Sequence, residues 1–267
     1  MSVRKLSEIW IYPIKSLGGV QLEKARIFEK GLEYDRRWML VDHSNQFITQ
    51  REYSQLALFK VELADGKITV THKKNASSLT FSGHVPKGEI QSAQVWDDEV
   101  NVIEADQEAS AWFSDELQMP CKLVHFPEQQ NRLIDPEYAR LKEQVSLADG
   151  YPLLIIGQAS LEDLNKRLPS PVTMQRFRPN LVFTGGEPYE EDHWQDFLIG
   201  DNHFRGIKNC SRCVLTTIDP QTGEKGVEPL RTLSSYRQRN NQVYFGQNLL
   251  PVKGNQMGVG DVITFEI

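Results

Sequence analysis

The sequence predicts a β-rich α+β fold. Three observations carry this: many short runs of β-branched and aromatic residues separated by turn residues, few stretches of helical periodicity, and no repeating strand–helix alternation. No G-x-G-x-x-G or Walker-type loop occurs, so a doubly wound dinucleotide fold is not indicated.

Taken in order, residues 6–14 mix branched and aromatic side chains and break at Lys15-Ser16-Leu17-Gly18-Gly19. Residues 37–42 form a second strand candidate, followed by a turn at Ser44-Asn45 and a short β-prone run at Phe47-Ile48-Thr49. Residues 59–63 and 67–71 flank Asp65-Gly66, a strong hairpin signal. Further strands are expected around residues 79–81 and within 94–103. The composition changes near residue 107. Residues 108–117 then suit an amphipathic helix that stops before Pro120, and the polar stretch 126–145 suits a linker or a loop over a cleft on the substrate side. Residues 152–156 read as a buried strand. Ser160 begins a helix with Leu161, Leu164 and Leu168 on its apolar face, and residues 181–183 form a strand ended by Gly185-Gly186. Residues 197–207 are expected to turn back around Gly200-Asp201-Asn202, residues 214–218 to run as a strand, and residues 262–267 to close the chain as another.

The 267-residue chain has a net charge of -6, without the basic footprint that duplex binding needs, so nucleic acid is not an expected partner. No segment approaches the roughly 20 apolar residues of a membrane span, and the first residues lack the pattern of a secretory signal. Cys121, Cys210 and Cys213 are too few for a disulfide framework, which points to a reducing compartment and a cytoplasmic location.

The sharpest motif is Cys210-Ser211-Arg212-Cys213. Half a zinc site would need a second ligand pair, which Cys121 and the scattered histidines do not offer. A thioredoxin-like pair should open a helix, whereas β-branched residues follow here. Two ordinary cysteines packed at a strand end would show the same spacing. Arg212 adds a distinguishing element, since a guanidinium beside a thiol favours the thiolate, a soft ligand for a transition metal. A second group of residues places cations beside turns: Lys15-Ser16 before Gly18-Gly19, Arg36-Arg37 before a strand, and Arg176, Arg178 and Asn180 before another. Fixed positive charge next to backbone N–H groups suits a phosphate. Taken singly, each cation is an ordinary solvated surface group. The six histidines form no nucleophile motif, and the carboxylate runs Asp97-Asp98 and Glu190-Glu191-Asp192 read as turn or surface groups.

Five segments in order resemble the MOSC proteins, more closely bacterial YcbX-like proteins and the mitochondrial amidoxime-reducing component. They are Tyr12-Pro13-Ile14-Lys15-Ser16, Asp35-Arg36-Arg37-Trp38, Phe177-Arg178-Pro179-Asn180, Cys210-Ser211-Arg212-Cys213 with Thr216-Thr217-Ile218-Asp219-Pro220, and Phe245-Gly246-Gln247-Asn248. The resemblance implies an N-terminal MOSC β-barrel domain over residues 1–120 and a MOSC domain over 121–267, built on a β-barrel with flanking helices. It implies a molybdenum–molybdopterin cofactor, with Cys213 as metal ligand and catalytic residue. Lys15, Ser16 and Arg36 would hold the phosphate, Arg178 and Asn180 the pterin or phosphate from the other domain, and Asn248 would fall near the metal. The implied activity is reduction of small N-hydroxylated compounds. Some YcbX-like proteins carry a four-cysteine ferredoxin domain, which three cysteines cannot supply, so the expected electron donor is a separate ferredoxin, flavoprotein or cytochrome. The rival expectation is a sulfur or cofactor carrier that uses a Cys213 persulfide or thiolate.

Overall fold

The structure is a computed structural model that describes residues 3–265. Its largest sheet has nine strands. Eight follow in the order Ile263–Thr264, Asp196–Ile199, Asn202–Arg212, Gln242–Lys253, Leu153–Gly157, Leu181–Thr184, Lys5–Ile11 and Val20–Leu22, and Gln238–Arg239 pairs at the side. A four-stranded sheet joins Trp38–Asp42, Cys121–His125, Asp98–Glu104 and Ile90–Val95, and a three-stranded meander joins Phe59–Ala64, Lys67–His72 and Ser78–Ser82. The β-rich α+β expectation holds.

Local chemistry explains the elements. The first hairpin turns at Asp65 and Gly66, both with positive φ (51° and 70°), as a two-residue turn between twisted strands requires. The second turns at Gly200 (φ 56°) with Ile199 opposite Asn202. Helix α1 (Gln107–Leu117) starts where the Asp106 carboxylate accepts the Ala109 N–H at 2.9 Å. Its buried face, with Ala109, Phe113 and Leu117, packs on a core around Trp38, Leu40, Phe59 and Leu123.

The structure redraws several local expectations. Helix α2 (Gln158–Arg167) begins before Ser160, whose hydroxyl donates to the Glu191 carboxylate instead of capping. Helix α3 (Leu230–Arg237) was not anticipated, being only two turns long. Residues 214–218 do not form a strand. Val214–Thr217 is a 3-10 turn, because the Thr216 and Thr217 hydroxyls fold back onto the carbonyls of Cys213 (3.0 Å) and Val214 (2.7 Å). The closing strand shortens to Ile263–Thr264, and Glu266 and Ile267 lie outside the described residues. Glu191 is fully buried rather than a surface carboxylate.

Strand pairing links residues on either side of position 120. Cys121–His125 pairs with Trp38–Asp42 and Asp98–Glu104, and so belongs by hydrogen bonding to the first unit. Lys5–Ile11, by contrast, pairs with Leu181–Thr184 and buries Leu6 and Ile9 in the large sheet's core with Leu153, Ile155, Leu181 and Phe183.

Burial raises the Glu191 carboxyl to about 7, against hydrogen bonds from the Gly157 N–H (3.1 Å) and the Ser160 hydroxyl that favour its ionised form. Because this pKa lies above the unfolded value, the group's favourable contribution is complete below about pH 4.5 and is lost as pH rises through 7. Glu191→Gln, neutral throughout, should therefore gain on the wild type by roughly 2 kcal/mol between pH 5 and 8, read from urea midpoints. A stability difference that stays constant over this range would contradict the assignment.

Candidate functional site

The cleft sits where the ends of several strands meet. The turn after Lys5–Ile11 is fixed to the first unit by backbone hydrogen bonds from Lys15 N–H to Trp38 C=O (2.8 Å) and from Gly18 N–H to Phe59 C=O (3.0 Å). The Arg36 N–H donates to the Tyr12 carbonyl at 3.0 Å. Across the cleft, Asn180 joins two strands of the large sheet: its carboxamide oxygen accepts from the Leu154 N–H (3.2 Å) and its NH₂ donates to the Trp10 carbonyl (3.1 Å). The result is a cavity of about 300 Å³ lined by Lys15, Ser16, Arg36, Arg178, Asn180, Cys213 and Asn248 among others. Lys15, Ser16, Arg36, Arg178, Asn180, Cys213 and Asn248 thus meet at one cavity, whereas Arg37 is turned to Glu128 and the Asp35 carbonyl and Arg176 to Asp219, outside it.

Three of them stand on strained backbone. Ser16 (φ 70°), Arg36 (φ 50°) and Arg178 (φ 53°) all occupy the left-handed region. For residues with a Cβ this costs on the order of 1–3 kcal/mol each, and it persists where surrounding structure over-determines the conformation, commonly at ligand sites.

The cations are held individually. The Lys15 ammonium is buried and donates to the Leu147 carbonyl (2.8 Å) and the Asp149 carboxylate (2.5 Å). Burial outweighs Asp149 and lowers Lys15 to about 8. Against the partial loss of water around it, its side chain remaining 57% exposed, the Asp149 carboxyl is held below the usual range by Lys15 and Arg51. Arg36 pairs with buried Asp35 at 2.6 Å. Arg178 donates to the Leu17 carbonyl (2.6 Å), and burial lowers it to about 10.

Cys213 is half-buried and stands directly before the 3-10 turn, at the end of the strand Asn202–Arg212. Arg212 donates to the Cys210 sulfur (2.9 Å) and the Phe177 carbonyl (2.7 Å). The three cysteines are free. Asn180 lines the cavity with its amide already engaged in the sheet, while Asn248 is half-buried beside Leu154 and Lys208 in the strand register.

Sequence reasoning missed Thr49, Arg51, Asp149 and Tyr151, which also line the cavity. Arg51 lies 4.2 Å from the Trp96 ring and pairs with Asp149 at 3.0 Å. Nothing in the local sequence around Arg51 or Asp149 marks them; only the fold brings them beside Lys15. The polar stretch 126–145 contributes no lining residue. Its place is taken by residues 148–151, because Arg132, Ile134 and Val145 turn the preceding segment inward.

The cleft thus joins a free thiol at a strand end to cations from both halves of a β-rich chain. The MOSC N-terminal beta barrel domain matches residues 3–120 and the MOSC domain matches residues 142–264. The chain is 34% identical over 276 residues to mitochondrial amidoxime-reducing component 1 of Mus musculus, covering 99% of this chain and 81% of that protein. It is 32% identical to its Homo sapiens counterpart, covering 98% and 82%. Molybdenum cofactor sulfurase of Arabidopsis thaliana is 31% identical over 90% of this chain, which spans only 32% of that longer protein. The chain belongs to the MOSC-domain family, with the mitochondrial amidoxime-reducing components among its relatives. Among the described residues, no helix is long and apolar enough to cross a membrane.

If Lys15 binds an anion here, its charge is present below about pH 8 and lost above it. Sulfate, a dianion that does not titrate in this range, should bind roughly tenfold more weakly at pH 9.5 than at pH 7. In Lys15→Ala the affinity should be low and nearly flat with pH. Calorimetric titration at constant ionic strength reads both, and an equally steep pH dependence in the variant would assign it to another group.

Proposed function

We propose that this protein is a molybdenum-cofactor oxidoreductase that reduces N-hydroxylated compounds. The observation that carries the reading is the convergence of Ser16, Arg36 and Arg178, all on left-handed backbone, on the same cavity as Lys15 and the free Cys213 thiol. The donor set fits the cofactor in both its parts. A thiolate is a suitable ligand for the metal, and Lys and Arg beside backbone turns suit a phosphate. Among the described residues the buried Nε–H groups of Arg51 and Arg212 find no partner, which leaves further unsatisfied donors around an anionic ligand.

In this reading Cys213 holds the metal, while Lys15, Ser16, Arg36 and Arg178 hold the phosphate-bearing end. Asn248 faces the metal side. Asn180 acts mainly by stitching the strands beneath the site, since its amide is engaged there. When bound, the group supplies two-electron removal of the oxygen of an N–OH substrate, which leaves with two protons as water. The protein's own part is to fix the ligand's orientation and to wall the cavity with Asp149 and Tyr151. In this reading electrons come from a separate ferredoxin, flavoprotein or cytochrome. Free thiols suit a reducing compartment, which we take to be the cytoplasm. The cationic lining favours the reductase over a persulfide carrier, which would not need it.

Protein made in a cofactor-competent host should contain molybdenum and reduce benzamidoxime with an artificial electron donor. Cys213→Ala should lose both properties, and Cys210→Ala should keep its metal. Metal retained in Cys213→Ala and lost in Cys210→Ala would reverse the ligand assignment. A stable persulfide on Cys213 in metal-free protein, seen by intact mass, would support the carrier instead.

A further inference from the structure

Tyr12 belongs to none of the groups assigned above, yet it touches the segments that carry two of the cations. Its ring is buried, 2% exposed. The Arg36 guanidinium carbon lies 4.3 Å from the ring centroid and that of Arg178 lies 4.1 Å from it. Its hydroxyl donates to the Pro179 carbonyl at 3.1 Å, next to Arg178. Its N–H donates to Asp35 at 2.7 Å, and the other oxygen of that carboxylate receives Arg36 at 2.6 Å. Gly19 makes room for the ring, since a Cβ there would stand 2.6 Å from the Tyr12 Cε1.

Two guanidiniums in one cleft repel each other, and burial removes the water that would otherwise screen them. A ring's negative face attracts a cation, most effectively where water is excluded. One buried ring against both guanidiniums therefore offsets part of their mutual cost before any anion arrives. It also fixes the planes in which their N–H groups point, and planar guanidinium recognition of an oxyanion depends on that orientation.

We propose that Tyr12 is the positioning residue of the anion site: its ring seats Arg36 and Arg178 and thereby sets the cleft's affinity for the phosphate end of its ligand. This rests on the reading of the cleft as an anion site. The ring, not the hydroxyl, carries the effect. Tyr12 touches no reacting atom and acts only through the two arginines.

The test keeps the ring's shape and changes its charge distribution. Tyr12→Phe and the same substitution with one, two and three ring fluorines, introduced by nonsense suppression, are titrated calorimetrically with sulfate at pH 7 and fixed ionic strength. Each variant's melting temperature without ligand serves as the structural control. Tyr12→Phe should stay within about threefold of the wild type, and affinity should then fall stepwise with each fluorine to roughly tenfold weaker at three. A purely structural ring would show no such gradient. Equal affinity across the fluorinated series overturns the proposal while leaving the anion site standing. A loss in Tyr12→Phe as large as in the trifluorinated form also overturns it, because the Pro179 hydrogen bond would then be responsible. No sulfate binding by the wild type would overturn the anion site and this proposal together.

Discussion

The pairing of Lys5–Ile11 with Leu181–Thr184 is the constraint on which the rest depends. Asn180 and Trp10 stand 170 residues apart in sequence and are joined by a side-chain hydrogen bond and by a backbone bond of 2.7 Å. Closing so long a loop costs chain entropy that grows slowly with length, and the buried Leu6, Ile9, Leu181 and Phe183 oppose that cost. Once the first strand lies in the large sheet, the turn at residues 12–18 follows its C-terminal end beside the turn at 177–180. Lys15 and Ser16 then face Arg178, and Arg36 follows because its N–H is bonded to the Tyr12 carbonyl.

The same constraint concentrates positive charge, and the structure answers it locally. Asp35 is fully buried against Arg36, Asp149 takes Lys15 and Arg51, and the Tyr12 ring lies against two guanidiniums. The Asp35–Arg36 pair is buried and a weak contributor to stability whose single removal is costly, while Asp149 is 57% exposed and its pairs contribute little. Their presence here is better understood as orientation of the cations than as reinforcement of the fold.

Features written in neighbouring residues were legible in the sequence. Asp65-Gly66 and Gly200 carry their own positive φ, so both hairpins could be read directly. The Cys210–Cys213 spacing and the turn-flanking cations were visible too, although each cation alone resembled a surface group. What could not be read depended on distant contacts. The β-branched run after Cys213 suggested a strand, but hydroxyl bonds from Thr216 and Thr217 close it into a turn. Glu191 looked like one of three surface acids until α2 placed Gly157 and Ser160 around it. Arg51 and Asp149 carry no local signature and acquire a role only through their nearness to Lys15.

The central claim is that residues from both halves of the chain hold one anionic, metal-bearing group at Cys213. Diffraction at the molybdenum absorption edge from crystals of cofactor-loaded protein tests it most directly. The account predicts an anomalous peak bonded to the Cys213 sulfur, with phosphate density among Lys15, Ser16, Arg36 and Arg178. A peak at Cys210 or elsewhere in the molecule, or phosphate density away from these residues, would contradict it.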